Sequence, residues 1–355
     1  MTAVSTATIP VFDGHNDTIL AILGGKTEFF SENASGHIDL PRARRGGLAG
    51  GFFAVFIPDP QVIVDVENPQ TGSYSGNVEA PPMMQLDYAQ NFTLSALGRL
   101  LKLEKESDGA VTIVRTAAEL ASAIERGQFA MELHLEGAEA IDADLNALEV
   151  YYAAGVRSIG LVWSRSNIFA HGVPFKFPGS PDTGPGLTDA GKALVRACND
   201  LGVLLDVSHL NEKGFWDLAS MSTAPIVATH SCVHAIAPST RNLTDKQLDA
   251  IKDSDGIVGV NFHIGFLNAD GSTDPARTTV KAMADHLDYM VERMGIEHVA
   301  FGSDFDGALM PGDLKDSAGL PLLIGELRAR GYDDTSLLKI GYQNWLRVFA
   351  KTWKA

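Results

Sequence analysis

The sequence has few cysteines and no pair of them at a metal-binding spacing. Its 355 residues include 2 cysteines, Cys198 and Cys232, which stand in unrelated contexts. Two thiols without a CxxC spacing exclude a zinc-finger-type site and a disulfide framework. We therefore interpret both as small buried residues of a reduced protein.

Basic residues and long apolar runs are scarce as well. The chain has 28 Lys and Arg against 44 Asp and Glu, a formal net charge of −16. The short basic run Arg42–Arg45 is not the basic stripe of a nucleic-acid-binding protein, and the acidic balance argues against anionic membranes. No stretch reaches the ~18 apolar residues of a membrane span, and Met1–Pro10 lacks the pattern of a signal peptide. We expect a cytoplasmic protein with neither nucleic acid nor membrane as a partner.

The pattern that is present is a recurrence of short apolar runs. Eight of them predict strands: Val11–Asp17, Gly51–Ile57, Met131–Gly137, Ser158–Ser164, Leu204–Leu210, Ile226–Ser231, Gly256–Phe262 and His298–Phe305. Nearly continuous apolar strands that alternate with helices are typical of a parallel sheet covered by helices.

Amphipathic stretches between these runs predict the helices. They are Pro82–Glu106, Thr116–Arg126, Leu145–Ala154, Thr188–Leu201, Asn211–Met221, Thr244–Lys252, Thr278–Met294, Pro321–Arg330 and Asp334–Lys354. Eight such units favour a single (β/α)8 TIM barrel domain over residues 1–355, distorted and with long βα loops. A doubly wound sheet is the alternative, but no Gly-rich phosphate-binding turn follows an early strand.

Two long irregular segments, Pro58–Pro81 and Asn167–Gly186, follow the second and fourth predicted strands. Both leave the carboxyl end of a strand, where barrel enzymes build their active sites. Loops of this length in compact domains are often functional, although simple surface insertions account for them equally well.

Ionisable residues stand at the ends of most of the predicted strands. Asp-Gly-His-Asn-Asp at the end of the first contains two types of metal ligand two residues apart, a pattern that is weak by itself. The set is completed by residues at the ends of strands three, five, six and eight. It comprises His15, Asp17, Glu136, His209, His230 and Asp304. Since strand ends converge at one mouth of a barrel, one shared site explains them better than six independent coincidences.

Each member of this set also has a structural interpretation. A lone histidine after a buried strand is more often a hydrogen-bonded core residue, and Asp304 and Asp306 are suited to a turn before Gly307. Glu136 resists such an interpretation, because burial of an unpaired carboxylate is costly.

Three histidines and two carboxylates suit two divalent ions about 3.5–4 Å apart, one carboxylate bridging them. Mixed nitrogen and oxygen ligands favour zinc, with manganese or cobalt as alternatives. A hydroxide between two cations is a nucleophile at neutral pH, and Asp304 is predicted to move its proton to the leaving group.

The chain resembles the membrane (renal) dipeptidase family, metallopeptidases of the amidohydrolase superfamily. The resemblance rests on seven stretches in the family's order, which span most of the sequence, and on a similar end at Gly341–Phe349. The stretches are Asp13-Gly14-His15-Asn16-Asp17, Leu135-Glu136-Gly137, Asp206-Val207-Ser208-His209, Thr229-His230-Ser231, Arg241-Asn242, Val260-Asn261-Phe262 and Gly302–Gly307.

This resemblance implies a distorted TIM barrel with a binuclear zinc site and, by analogy, a homodimer. It implies that His15, Asp17 and Glu136 hold one zinc and that Glu136, His209 and His230 hold the other. It also makes Asp304 the acid/base group and Arg241 the ligand of the substrate's terminal carboxylate. A guanidinium group suits that role because it grips a carboxylate bidentately.

The sequence departs from the family in three respects. Trp163 occupies the place of a histidine that hydrogen-bonds the reacting carbonyl in mammalian members, and an indole donates only one hydrogen bond. That role passes to Arg165, His171 or the metal. Phe56 stands where a tyrosine is expected near the substrate. The secretion signal, lipid-anchor signal and disulfide cysteines of the mammalian enzymes are not visible.

We therefore predict a zinc-dependent dipeptidase acting on short dipeptides with a free C-terminal carboxylate, L-Xaa-D-Xaa members included. Its substrate-binding residues are predicted to be Arg241, Trp163, Arg165, Asn261, His263 and Phe56. One alternative is a non-peptide amidohydrolase acting on N-acyl amino acids or cyclic amides, which the Trp163 departure favours. A catalytically inactive metal-binding scaffold is the other, and the presence of Asp304 argues against it.

Overall fold

A computed structural model of the protein describes residues 8–59 and 81–354. Most of the predicted Pro58–Pro81 loop therefore lies outside the described residues. Within these ranges, no helix combines the length and the apolar character needed to cross a lipid bilayer.

Parallel strands form the centre of the fold. They are β1 (Val11–Asn16), β2 (Leu48–Phe56), β3 (Val111–Ile113), β4 (Phe129–Glu136), β5 (Val156–Gly160), β6 (Leu204–Asp206), β7 (Val227–Ser231), β8 (Ile257–Val260) and β9 (Val299–Phe301). Their order is β1-β2-β4-β5-β6-β7-β8-β9, with β3 paired to β4 off this path. All of these pairings are parallel.

The two ends of this sheet meet just beyond β1 and β9. Asn16 forms a parallel bridge with Phe305. The backbone N–H of Asp304 donates to the carbonyl of His15 at 2.9 Å, and that of Asp17 donates to the carbonyl of Phe305 at 2.8 Å. The sheet thus curls into a nearly closed eight-stranded barrel, and the predicted (β/α)8 TIM barrel is confirmed. Its extent as one domain over residues 1–355 stays a prediction.

Helices connect and cover the strands. They are α1 (Thr18–Leu23), α2 (Leu40–Gly46), α3 (Leu86–Glu106), α4 (Ala117–Glu125), α5 (Asn146–Ala154), α6 (Asp189–Leu201), α7 (Glu212–Met221), α8 (Asp245–Asp253), α9 (Ile264–Leu267), α10 (Val280–Met294), α11 (Leu320–Ala329), α12 (Asp334–Leu338) and α13 (Asn344–Thr352). The predicted caps set several starts: Thr116 forms a capping box with Glu119, and Thr188 accepts from the N–H of Gly191. Side-chain oxygens at these positions satisfy backbone donors that the first helical turn leaves free.

The structure differs from the sequence prediction in a few elements. The strand β3 was not predicted, because three residues are too few to display a period. The first long helix begins at Leu86 and not at Pro82, and Asp87 in its first turn complements the helix dipole. The predicted helix Asp334–Lys354 is interrupted by a π-helical turn at Lys339–Gln343.

The amino-terminal end of the barrel is closed by apolar side chains. Phe12 and Phe52 fill the interior there and pack against the C-terminal helix α13. The ring of Phe52 lies 4.9 Å from that of Trp345, and the ring of Phe12 lies 5.8 Å from that of Phe349. Gly14 is required next to this layer, since a Cβ there would lie 2.3 Å from the carbonyl oxygen of Thr229.

The strand β4 changes the character of the interior toward the other end. Leu133 and Leu135 belong to the hydrophobic core, while Glu132, His134 and Glu136 alternate with them and are all buried. Successive side chains of a strand point to opposite faces. One face of β4 therefore carries three ionisable groups into the barrel, the last of them at the carboxyl end of the strand.

Candidate metal and catalytic site

The six predicted site residues converge at the carboxyl ends of the strands. His15 and His230 lie within β1 and β7, Glu136 ends β4, and the others lie just beyond a strand end. Ligand atoms of three triads lie within 4.8 Å of one another in each triad. The triads are His15/Asp17/Glu136, Glu136/His209/His230 and His15/His230/Asp304.

Glu136 lies at the centre of this arrangement. Its Oε2 is 3.6 Å from Nε2 of His15, whose Nε2 is in turn 3.5 Å from Oδ2 of Asp17. Its Oε1 is 3.1 Å from Nε2 of His209 and 3.5 Å from Nε2 of His230. The two oxygens of one carboxylate thus face two separate groups of ligands.

Several polar atoms of the site have no hydrogen-bond partner among the described residues. They include both ring nitrogens of His15 and Oδ1 of Asp17, and both residues are buried. Buried polar atoms of folded proteins are nearly always satisfied. Unsatisfied nitrogen and oxygen atoms within ligand distance of one another fit a divalent cation, so the residues present suit the metal that the sequence predicts.

The electrostatics of His209, His230 and Asp17 point the same way. Burial and the positive charge of Arg241 lower the pKa of His209 to about 4. Burial, His15 and Arg241 lower the pKa of His230 well below its usual value. Both imidazoles are therefore neutral, as ligation requires. Burial and the repulsion of Glu136 raise the pKa of Asp17 to about 7. A cation would relieve this repulsion between two buried carboxylates.

Two site residues adopt a backbone conformation that is unusual for non-glycine residues. His209 has φ 65° and Asp304 has φ 62°. Strain of this kind persists only where the surroundings impose it, and it clusters at functional sites. The turn predicted around Asp304 is present, since the N–H of Gly307 donates to the carbonyl of Asp304 at 3.2 Å.

Neighbouring side chains hold Asp304 and the following residues in place. The side-chain amide of Asn261 donates to Oδ2 of Asp304 at 2.9 Å. Two residues later, Asp306 accepts from Thr18 Oγ1 at 2.8 Å and from the backbone N–H of His37 at 2.5 Å. Asn261, predicted to bind substrate, therefore contacts the predicted acid/base group.

Arg241 is buried beside the site. Its guanidinium group donates to Oγ of Ser231 at 2.9 Å and to the carbonyl of His230 at 2.8 Å. Its Nε is buried and has no partner within the described part of the chain. Two of its five donors are thus engaged internally, and the group lies 5.7 Å from the ring of Phe266.

Four aromatic side chains form a wall beside His209, which we call the aromatic wall: Phe56, Trp163, Phe175 and Phe266. The ring of Trp163 lies 4.9 Å from that of Phe56 and 5.6 Å from that of Phe175. The ring of Phe175 stacks on that of Phe266 at 6.1 Å and 3°. His263, another predicted substrate-binding residue, packs edge-on against Phe266 at 4.6 Å. Phe56 and Trp163, two of the three departures noted in the sequence, therefore lie in one apolar surface.

Arg165 lies next to this wall, with its guanidinium carbon 5.9 Å from the ring of Phe56 and 5.6 Å from that of Trp163. It is buried, and its guanidinium group donates to Oε1 of Glu139 and to the carbonyl of Ile57, each at 3.3 Å. Burial, partly offset by Arg165, raises the pKa of Glu139 to about 7. Arg165 thus joins the ends of β2, β4 and β5, and its observed contacts are internal to the protein. His171, the other residue considered for the carbonyl, has Nδ1 3.3 Å from Oγ of Ser166.

The sequence matches the membrane dipeptidase family, peptidase family M19, over residues 3–355. The chain belongs to this family.

Several known proteins resemble this chain along most of its length. A Klebsiella pneumoniae protein described as the uncharacterized protein in the pqqA 5' region is 50% identical over 258 residues, 73% of this chain and 95% of that protein. A metallo peptidase from Rhodobacter sphaeroides, solved with a phosphinate mimic of the dipeptide L-Ala-D-Ala, has a TM-score of 0.93 at 47% identity and covers 98% of this chain and 100% of its own. Dipeptidase AC, a metallo peptidase of family M19, has a TM-score of 0.92 at 46% identity with the same coverage.

Membership of the dipeptidase family confirms the resemblance drawn from the sequence. It also confirms the prediction of a metal-dependent hydrolase, which the clustered His, Asp and Glu ligands of the structure match.

Sequence reasoning missed several polar residues around the candidate site. Ser164, Asp206 and Thr229 contact its histidines or each other, and Glu132 and His134 lie deeper in the barrel along β4. A signal for the last two was present, since Glu132, His134 and Glu136 alternate with Leu133 and Leu135 in a strand that is otherwise apolar. Polar residues at every second position of a buried strand indicate a polar barrel interior.

Proposed function

We propose that this protein is a dipeptidase that uses two divalent cations, preferably zinc, to hydrolyse dipeptides with a free C-terminal carboxylate. The proposal rests on the position of the Glu136 carboxylate, whose two oxygens face different groups of ligands. Oε2 lies 3.6 Å from Nε2 of His15, and Oε1 lies 3.1 Å from Nε2 of His209. A carboxylate placed in this way is suited to bridge two ions.

The chain offers a complete set of ligands for such a pair. His15, Asp17 and Glu136 would hold one ion, and Glu136, His209 and His230 the other. The ligands accept manganese or cobalt as well as zinc. When bound, two such ions supply a nucleophilic hydroxide at neutral pH and polarise the scissile carbonyl.

The other predicted residues fit roles in proton transfer and substrate binding. Asp304 would take a proton and pass it to the leaving amine, and the hydrogen bond from Asn261 to its carboxylate supports this role. Arg241 has donors left over for the substrate's carboxylate, and its buried position strengthens that charge pairing. The aromatic wall would contact an apolar side chain of the dipeptide beside Arg241.

The substrate class draws support from a relative. The Rhodobacter sphaeroides metallo peptidase binds a phosphinate mimic of L-Ala-D-Ala in its crystal structure. The two chains are 47% identical over nearly the whole length, and we therefore propose that L-Xaa-D-Xaa dipeptides are among the substrates of the present protein.

An assay on the metal-loaded protein tests the proposal. A panel of L-Xaa-L-Xaa and L-Xaa-D-Xaa dipeptides is compared with the same dipeptides carrying a C-terminal amide, after metal content has been confirmed. We expect turnover of free dipeptides and a strong preference over the amides, and we expect Arg241→Met to lose most of this preference. The absence of turnover for every dipeptide would refute the proposal. Faster turnover of N-acyl amino acids or cyclic amides would favour the amidohydrolase alternative.

Asp304→Asn separates catalysis from metal binding. We expect hydrolysis to fall by about 10²–10⁴-fold with metal content retained, since the proton transfer would be lost. Unchanged hydrolysis would remove Asp304 from its role.

The predicted setting of this activity is the cytoplasm, with the enzyme as a homodimer. Light scattering during gel filtration tests the dimer, and a monomeric mass would contradict it.

A further inference from the structure

Two of the three histidines proposed as ligands are contacted from behind by a hydroxyl group. Oγ1 of Thr229 lies 2.8 Å from Nδ1 of His230. Oγ of Ser164 lies 2.8 Å from Nδ1 of His209. In each ring the other nitrogen, Nε2, faces Oε1 of Glu136. A partner on Nδ1 determines which tautomer the ring adopts.

Asp206 fixes the direction of the Thr229 contact. Oγ1 of Thr229 is 2.6 Å from Oδ2 of Asp206, while Oδ1 of Asp206 accepts from the backbone N–H groups of Ser208 and Thr229, both at 2.9 Å. A carboxylate only accepts, so the single hydroxyl proton of Thr229 goes to Asp206. Thr229 must then accept from Nδ1–H of His230, which leaves the lone pair on Nε2.

The opposite half of the site has no comparable support. Nδ1 of His15 and Oδ1 of Asp17 have no hydrogen-bond partner within residues 8–59 and 81–354. Asp17 also stands at the N-cap of α1 without forming a side-chain capping bond. No hydrogen bond among the described residues thus fixes the tautomer of His15, whereas Thr229 and Asp206 fix that of His230.

We propose that Thr229, Asp206 and Ser164 are positioning residues that make the Glu136/His209/His230 half of the site bind its cation more tightly than the His15/Asp17 half. The inference rests on the proposed two-ion function and adds which of the two ions is bound more tightly. Groups behind a ligating histidine fix its tautomer and its ring orientation and raise its basicity. Their loss typically weakens metal binding about 10–100-fold.

Zinc titration of the metal-free protein in competition with a chelating dye measures the dissociation constant of each ion and tests whether the two differ. We expect two ions with different dissociation constants. Asp17→Asn should lose the weaker ion and keep the tighter one. Adding Thr229→Val to Asp17→Asn should then weaken the remaining ion by about 10–100-fold, whereas Thr229→Ser, which keeps the hydroxyl, should not.

Two further variants separate positioning from a general effect of mutation. Thr93→Val is the matched control, because Thr93 is buried in α3 and its hydroxyl has no partner in the described part of the chain. It should leave both constants unchanged. Ser164→Ala tests the same idea at His209 and serves if Thr229→Val does not fold, which circular dichroism establishes.

The possible results distinguish this inference from the proposed function. A wild-type protein that binds fewer than two ions contradicts the two-ion function. Two ions of equal affinity contradict the inference alone. So does a folded Thr229→Val or Ser164→Ala variant that binds the tighter ion as well as the wild type does.

Discussion

The side-chain amide of Asn261 donates a 2.9 Å hydrogen bond to Oδ2 of Asp304. Oδ1 of Asn261 accepts in turn from the backbone N–H of His263 at 2.6 Å, which fixes the orientation of the amide. Asn261 therefore aims one oxygen of the proposed acid/base group and leaves the other available for the reaction.

We expect Asn261→Leu to lower kcat by about 10–100-fold and to change KM little, because the variant removes the group that orients Asp304 and not a ligand of the substrate. Metal content should stay that of the wild type. Asn199→Leu is a suitable control, since the Asn199 amide bonds the carbonyl of Met221 away from the site. A rise in KM without a fall in kcat would instead return Asn261 to the substrate-binding role predicted from the sequence.

The position of Glu136 between two groups of ligands gives a second prediction. Glu136→Ala removes a ligand from both groups, so we expect the metal content of the purified protein to fall from two ions to one or none. Asp17→Asn removes a ligand from one group only and should lose one ion. Elemental analysis of the three proteins measures this, and two ions retained in Glu136→Ala would exclude a bridging role.

Much of the fold was predictable because the apolar strands are short, regular and separated by capped helices. Strand ends of a parallel barrel meet at one face, so the sequence positions of His15, Glu136, His209 and His230 were enough to predict that they converge. The strand β3 was not predictable in this way, because three residues carry no period.

The contacts behind the site were beyond the sequence for another reason. Arg165 lies in the loop that follows β5. Whether its side chain faces a substrate or Glu139 depends on the path of that loop, which residue spacing does not determine. The Thr229–Asp206 contact joins two strands, and each residue by itself resembles an ordinary strand residue.

The aromatic wall leads to a prediction about substrate binding. Phe175 stacks on Phe266 and lies edge-on to His209, with ring centroids 6.2 Å apart. We expect Phe175→Ala to raise KM about 2- to 10-fold for dipeptides with an apolar C-terminal side chain, since aromatic contacts of this kind contribute about 0.5–1.5 kcal/mol. The effect should be smaller for a C-terminal glycine.

Ile168→Ala is the control for this experiment, because Ile168 lies in the same loop and is 46% exposed. It should leave KM unchanged. An equal effect of Phe175→Ala on glycine and apolar dipeptides would indicate that Phe175 supports the loop and does not contact the side chain.

The buried pair of Arg165 and Glu139 leads to a prediction about stability. Arg165→Met leaves the Glu139 carboxyl group buried without its partner, and we expect the free energy of unfolding to fall by about 2–4 kcal/mol. Because an apolar pair of similar size avoids this cost, the double variant Arg165→Met/Glu139→Met should recover part of the loss. Urea denaturation measures both. If Glu139→Met destabilised the Arg165→Met variant as much as it destabilises the wild type, the two residues would not act as a pair.

Glu132 gives the last prediction, which concerns pH. It lies in the barrel interior below Glu136 and accepts a hydrogen bond from Oγ of Ser158 at 2.8 Å. Burial raises its pKa from 4.5 to about 8, against smaller opposing effects of Ser158 and Arg157. Between these two pH values the folded protein holds a proton on Glu132 that the unfolded chain has released. Stability must therefore fall as pH rises through this window and level off above it.

Glu132→Gln removes the ionisation while keeping an oxygen that accepts from Ser158. Relative to the wild type, the variant should be nearly neutral at about pH 5 and more stable by about 1–3 kcal/mol at about pH 9. Thermal unfolding of the two metal-loaded proteins at both pH values measures this difference, in which other titrating groups cancel. A stability difference that does not change with pH would mean that Glu132 ionises in the folded barrel as readily as in the unfolded chain, and that the polar interior below the site is hydrated.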